Sequence, residues 1–159
     1  MPLSSFTLNM NLVFERFLGR YLSEQSPDDV HVRMQDVRSD VFSYLENSGG
    51  WNRPTIRPDF VFSRRRKVVA VADAKYKNRH ENPPSSAELY QLTTYGLAYL
   101  MPGPREVLLL HPLARGEFER PATLIFAPSA AAQQVRIRLI GVPVDDLLDG
   151  TVKRWWPLH

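Results

Sequence analysis

The chain has 159 residues, 43% hydrophobic and 23% charged, the balance of an ordinary globular protein rather than a disordered one. That length buries roughly two-thirds of the unfolded surface, and we expect one domain over residues 1–159. Cysteine is absent, which excludes disulfides and thiolate metal sites and fits a reducing compartment. No apolar run approaches the ~20 residues of a membrane span, and no basic-then-apolar leader opens the chain, so the expectation is a cytoplasmic protein with no membrane partner. Net charge is only +3, but the positive residues cluster: Arg64, Arg65, Arg66 and Lys67 in one run, Lys75, Lys77, Arg79 and His80 in another. Such clusters attract polyanions, phosphate backbones above all; a basic turn can equally serve to keep a hairpin soluble.

In chain order, residues 8–24 read as a helix with Met10, Val13, Phe14, Phe17, Leu18 and Tyr21 as its core stripe. "VHVRMQDV" (30–37) reads as a strand with Val30, Val32, Met34 and Val37 marking its apolar side, and "NSGGWNRP" (47–54) as a loop. "IRPDFVF" and "KVVAVADAKY" are β-branched and aromatic, two strands joined by the basic turn. Ser85 to Glu88 then forms a capping box, in which both side chains satisfy free backbone N–H groups at a helix start. Leu89, Leu92, Thr93, Gly96, Leu97 and Leu100 are the expected buried stripe, and "MPGP" (101–104) the stop. Three more strands follow, "EVLLLHP", "ATLIFAP" and "QVRIRLIGVPV", with "SAAAQQ" as a surface turn before the last, then a short helix at "VDDLLDG" and a tail packed by Trp155 and Trp156. The four histidines, His31, His80, His111 and His159, show no metal-ligand spacing. This order implies an α/β or α+β sheet flanked by helices.

The chemistry concentrates on Asp59, Asp73 and Lys75. Asp73 and Lys75 lie two apart on one strand and leave the same face. With a three-residue loop of Arg65, Arg66 and Lys67, Asp59 faces Asp73; a two-residue loop turns Asp59 to the other face unless a β-bulge restores the register. Two carboxylates so placed repel unless a cation lies between them. Lys75 supplies one charge. Oxygen ligands of this kind suit Mg²⁺ or Mn²⁺, with phosphate and water completing the shell, and the chemistry implied is phosphodiester hydrolysis. Taken alone, Asp-x-Lys on a strand is an ordinary surface ion pair.

"RPD" (57–59), fourteen residues before "DAK" (73–75), resembles the signature of the PD-(D/E)XK nucleases. "QLTTY", with Gln91 and Tyr95, is similar to the Q-x-x-x-Y extension of their RecB-like branch, and "DAKYK", "ELYQLTTYGLAY" and Phe14-Glu15 resemble the nuclease domain of McrC, the cleavage subunit of McrBC modification-dependent restriction systems. The resemblance spans roughly residues 9–111. It implies a restriction-endonuclease-like α/β core, a mixed central sheet flanked by helices. It implies further that Asp59, Asp73, the Ala74 carbonyl and Glu15 hold the metal, that Lys75 is the catalytic lysine, and that Gln91 supports it, with Tyr95 one turn later. Double-stranded DNA is then the substrate, with Arg64, Arg65, Arg66, Lys67, Lys77 and Tyr95 as its contacts. A McrB-like GTPase ring is the implied partner, engaged by an additional N-terminal region for which this chain has no room, and a homodimer would supply two cutting sites. The alternative is a catalytically inert nucleic-acid-binding or assembly module on the same fold; ordinary surface ion pairs, in contrast, would put Asp59 and Asp73 on different faces.

Overall fold

The computed structural model describes residues 8–99, 105–127 and 134–158. Helix α1 (Met10–Gln25) opens it, with the Asn9 side chain accepting the Leu12 N–H at 3.2 Å. Strands β1 (Val30–Met34), β2 (Phe60–Arg64) and β3 (Lys67–Ala74) form an antiparallel meander. Helix α2 (Ser86–Tyr99) crosses to β4 (Arg105–Pro112), which lies parallel to β3. Next come β5 (Ala122–Phe126), β6 (Val135–Val142) and the short α3 (Val144–Leu148). The six strands make one mixed sheet in the order β1-β2-β3-β4-β6-β5, in which β6 is parallel to β4 and antiparallel to β5. The fold is α/β, with a mixed sheet flanked by helices.

Alternation along the buried strands splits the core in two. Phe60, Phe62, Ala70, Ala72, Leu108 and Leu110 face α1 through Phe14, Leu18 and Leu22, and Trp155 and Trp156 pack the tail onto this layer. The Trp156 ring meets Phe62 edge-on at 5.8 Å, while the Tyr21 hydroxyl accepts the Trp155 N–H at 2.7 Å. On the other face Val61, Val71, Val107, Leu109 and Ile137 pack against Leu92, Tyr95 and Tyr99 of α2. At Gly96 helix α2 lies tight against the sheet: a Cβ there would stand 2.5 Å from Val135 Cγ1 and 3.1 Å from Val107 Cγ2, both on stiff β-branched side chains. Gly96→Ala is therefore expected to lose about 1–3 kcal/mol in urea denaturation, despite alanine's better helix propensity.

Several stripes are rotated from their sequence pattern. On α1 Met10 and Val13 are exposed and the buried line runs Phe14–Leu18–Leu22. On β1 the apolar side ends early, with Met34 and Val37 both exposed. On α2 the buried line is Glu88, Leu92, Tyr95, Gly96 and Tyr99, with Leu89, Thr93 and Leu97 only partly covered. Tyrosine reaches the core here because each hydroxyl finds a partner: Tyr95 donates to the Arg57 carbonyl at 3.1 Å and Tyr99 to Asp36 Oδ2 at 2.9 Å. The capping box forms as expected, Ser85 N–H donating to Glu88 at 2.8 Å and Glu88 N–H to the Ser85 hydroxyl at 3.3 Å. Leu100, the "MPGP" stop and most of "SAAAQQ" lie outside the described residues.

The β2–β3 hairpin decides the site. Its loop is two residues, not three: Arg65 and Arg66 have φ of 50° and 66°, the left-handed pair of a type I′ turn, and Arg64 faces Lys67. Uncorrected, that register would put Asp59 on the wrong face. The register shifts, however, between Phe62 and Ser63: Ser63 faces Val68 while Phe62 faces Ala70, which leaves Val69 as the bulged residue. From Phe62 onward Val61 faces Val71 and Phe60 faces Ala72, so one further step sets Asp59 beside Asp73 on the α2 side.

Candidate active site

Asp59 ends the approach to β2 and Asp73 lies near the carboxyl end of β3; both are buried, at 9% and 2% exposure. Each polar contact of Asp59 has a visible origin. Its Oδ2 accepts the Ala74 N–H at 2.8 Å, which locks the two strand ends together, and its Oδ1 accepts the Gln35 amide at 3.1 Å. The Gln35 amide nitrogen also donates to Glu15 on α1, and the Gln35 N–H donates to the Asp59 carbonyl at 3.0 Å. Asp73 pairs with Lys75, Nζ to Oδ2, at 2.7 Å. The Lys75 N–H is anchored on the Leu110 carbonyl at 2.9 Å, so the β3–β4 pairing fixes where that lysine starts. From α2 Gln91 donates to the Tyr95 hydroxyl at 2.7 Å. Glu15, Asp59, Asp73, Lys75 and Gln91 line one cavity of about 610 Å³ together with Gln35 and Arg57.

Electrostatics follow from burial and crowding. Loss of water, then the neighbouring Asp59 charge, raises the Asp73 carboxyl to about 6, against which Lys75 works. Burial also lifts Glu15, with Asp59 adding to it. For Lys75 burial disfavours the ammonium, but the Asp73 and Asp59 charges outweigh it and hold the ammonium above the usual lysine value. Burial and the Asp73 charge push the Tyr95 phenol up to about 12. The site therefore stores repulsion between acids, relieved in part by one lysine.

The family described as McrBC 5-methylcytosine restriction system component matches residues 3–112. The chain belongs to that family. No curated protein matches it. Among solved structures it is similar to a chain of the refined half-complex from a tetradecameric assembly of Thermococcus gammatolerans McrB AAA+ hexamers with bound McrC, with a TM-score of 0.60 and 23% identity. The match covers 86% of this chain and 29% of that one, so this chain spans under a third of the length of the one it matches. At that identity the likeness is one of fold.

In this McrBC-family chain the predicted acids, lysine and glutamine converge, whereas the predicted DNA contacts scatter. Arg64, Arg65, Arg66 and Lys67 sit at the closed end of the hairpin, about 20 Å along the strand from the acids at its open end, counting ~3.3 Å per residue. Arg64 there pairs with Asp29 at 2.9 Å. Lys77 pairs with Glu88 at 3.0 Å, and Tyr95 is buried with its hydroxyl bonded to Gln91 and to the Arg57 carbonyl. Ala74 meets the site through its N–H to Asp59. Among the described residues no three His, Cys, Asp or Glu side chains converge in ready coordination geometry, so the site as it stands is a two-carboxylate one with Glu15 attached through Gln35. No helix among the described residues is long and apolar enough to cross a membrane.

Gln35 was invisible in the sequence. It follows β1, sits at a φ of 52°, and joins Glu15 to Asp59 through one amide. A non-glycine residue in that region is held there by its surroundings. Its one legible signal is "MQD" at the end of an apolar strand, which any turn would also give. Gln35→Ala is expected to leave Glu15 and Asp59 short of a shared donor, lowering stability by about 1 kcal/mol in urea denaturation.

Proposed function

We infer that this chain is the nuclease module of a McrBC-type restriction system, a divalent-metal-dependent endodeoxyribonuclease that hydrolyses phosphodiester bonds in double-stranded DNA. The observation that carries the reading is the single cavity into which Glu15, Asp59, Asp73, Lys75 and Gln91 converge from α1, the two hairpin strands and α2. Its oxygen-only donor set of Asp59, Asp73 and the Ala74 carbonyl fits Mg²⁺ or Mn²⁺, ions that keep several waters and need few protein ligands. When bound, such an ion supplies polarisation of the phosphoryl oxygen and acidifies a water.

The protein groups then divide the remaining work. The Asp73 carboxyl, raised by burial and by Asp59, is the group whose charge a cation would stabilise most. Lys75 stays an ammonium beside it, which suits it to charge stabilisation at a phosphate or to delivering a proton, and not to serving as a base. Glu15, held by Gln35 and raised by burial, is placed to accept a proton from a water on the α1 side. Gln91 borders the cavity and is steadied by Tyr95. A purely binding module has no use for two buried acids where a phosphate must approach.

Family membership supports a restriction role, and the similar complex of McrB hexamers with bound McrC supports a McrB-like GTPase ring as partner. A homodimer would provide one site for each strand. The test is cleavage of supercoiled plasmid by the purified chain with Mg²⁺ or Mn²⁺, with EDTA and Lys75→Ala as controls. Cutting that EDTA abolishes and the variant reduces by roughly 10²–10⁴-fold is the expected result. Cutting only after a McrB-like ring is added identifies the ring as an obligatory partner. Neither cutting nor Mn²⁺ binding, with or without the ring, makes the chain an inert assembly module.

A further inference from the structure

Beside the acidic cavity lies a second, more open one of about 770 Å³. Its walls include Val37 and Phe42 from the irregular segment between β1 and β2, Arg57, and Gln91 and Thr94 of α2. Arg57 and Gln91 line both cavities. The partition between the two is built: Gln91 donates to the Tyr95 hydroxyl at 2.7 Å, and Tyr95 donates to the Arg57 carbonyl at 3.1 Å.

Phe42 is 44% exposed, yet its segment is anchored. Arg38 and Ile56 exchange two backbone hydrogen bonds of 3.0 Å, and Tyr99 ties down Asp36. An aromatic ring kept partly in water on an anchored loop, lining a cavity that adjoins the proposed site for phosphate, points to a ligand with a flat apolar face. Among the described residues the groove carries no carboxylate, in contrast to its neighbour, and its lining offers a guanidinium, an amide and the Thr55 and Thr94 hydroxyls alongside the Phe42 ring and the buried Tyr95. That mixture suits a nucleotide: the ring stacks on a base, the guanidinium meets a phosphate, and the amide and hydroxyl bond a base edge. A partner protein's apolar anchor would instead leave Arg57 and Gln91 desolvated without acceptors.

We propose that this groove seats the nucleotide adjoining the phosphate in the acidic cavity, its base stacked on Phe42 and its phosphate on Arg57. The proposal rests on the nuclease reading above, and names the contact through which the strand enters the site. Phe42, rather than the distant basic turn, then sets how the strand is gripped.

The test uses duplex and single-stranded DNA carrying 2-aminopurine, whose fluorescence falls on stacking, titrated with the full chain in the Lys75→Ala background. Phe42→Ala and Phe42→Trp are compared in that background for binding and in the otherwise unaltered chain for cleavage, with thermal denaturation as the check on folding. The expected result is quenching by the parent, its loss with about tenfold weaker binding in Phe42→Ala, and its retention in Phe42→Trp. In cleavage the alanine variant should raise KM and leave kcat within about twofold. A parent that cuts DNA while Phe42→Ala binds and cuts equally well overturns the groove and leaves the nuclease standing. Quenching that depends on Phe42 without cutting under any metal, with or without a McrB-like ring, supports the groove and overturns the nuclease. A chain that neither quenches nor cuts, with or without the ring, overturns both.

Discussion

Asp73→Asn is expected to make the metal-free protein more stable and, at the same time, to abolish cleavage. Burial raises the Asp73 carboxyl first and the Asp59 charge raises it further, to about 6. A carboxyl whose folded-state pKa lies above its unfolded value binds its proton more tightly when folded, so its ionisation opposes folding above about pH 6, and the opposition fades as pH falls toward 4. Each unit of such a shift, which already includes the Lys75 attraction, corresponds to about 1.4 kcal/mol; leaving the half-buried Lys75 with one acid fewer offsets part of that gain, and about 1 kcal/mol remains. Urea denaturation in EDTA near neutral pH should show that gain, and the difference from the parent should shrink at acid pH. An Asn variant less stable than the parent at neutral pH would mean that the Lys75 pairing outweighs the repulsion. The same carboxylate is proposed to hold the metal, so Mn²⁺ affinity of the parent should itself fall as pH drops below about 6, roughly tenfold per unit while one proton is displaced. Stability sacrificed at one residue for chemistry at that residue is common at active sites.

Glu88→Ala should have the largest effect on folding of any single change outside the core. Glu88 is buried and accepts from Arg79 at 2.9 Å, from Lys77 at 3.0 Å and from the Ser85 N–H at 2.8 Å. The Arg79 side chain is only 2% exposed, so removing the carboxylate strands a guanidinium inside the protein. A buried charge left unpaired in this way costs about 3–5 kcal/mol, or on the order of 10 °C in Tm at this size. Glu88→Gln keeps the cap geometry and should lose less. Burial alone would raise the Glu88 carboxyl, but the Arg79 pair, the Ser85 N–H and Lys77 outweigh it and hold the group far below the ordinary glutamate range. A lowered folded-state pKa contributes stability that is fully present above the unfolded value of about 4.5 and is lost as pH falls below it. The parent should therefore show an acid-sensitive limb below about pH 4.5 that Glu88→Gln flattens. An unchanged limb would put the acid sensitivity elsewhere. Lys77 and Arg79 belong to this scaffold: they fasten the segment after β3 to the start of α2, which positions Gln91 three residues further on.

What the sequence determined by itself was local. The order of elements, the capping box at Ser85 and Glu88, and the shared face of Asp73 and Lys75 all follow from spacing, because helix and strand periods and end-capping involve residues a few positions apart. The family-like motifs brought Glu15 and Gln91 to notice, and the folded chain puts both at the same cavity as the aspartates. Tertiary structure decided the rest. Whether Asp59 meets Asp73 turned on one bulged residue, Val69, which offsets a two-residue turn; nothing in a run of valines marks which one will bulge, because the packing of both faces selects it. Gln35 became part of the site because β1 ends where α1 and β2 converge, a meeting of three segments that no spacing encodes. Tyr95 and Tyr99 entered the core because distant Arg57 and Asp36 satisfy their hydroxyls, which hydrophobic periodicity does not count. The basic run, the loudest charge signal in the chain, came to lie at the far end of the hairpin because a hairpin's closed end must point away from its open one. Residue types fix what chemistry is affordable; only the register and the crossing of elements fix which residues share it.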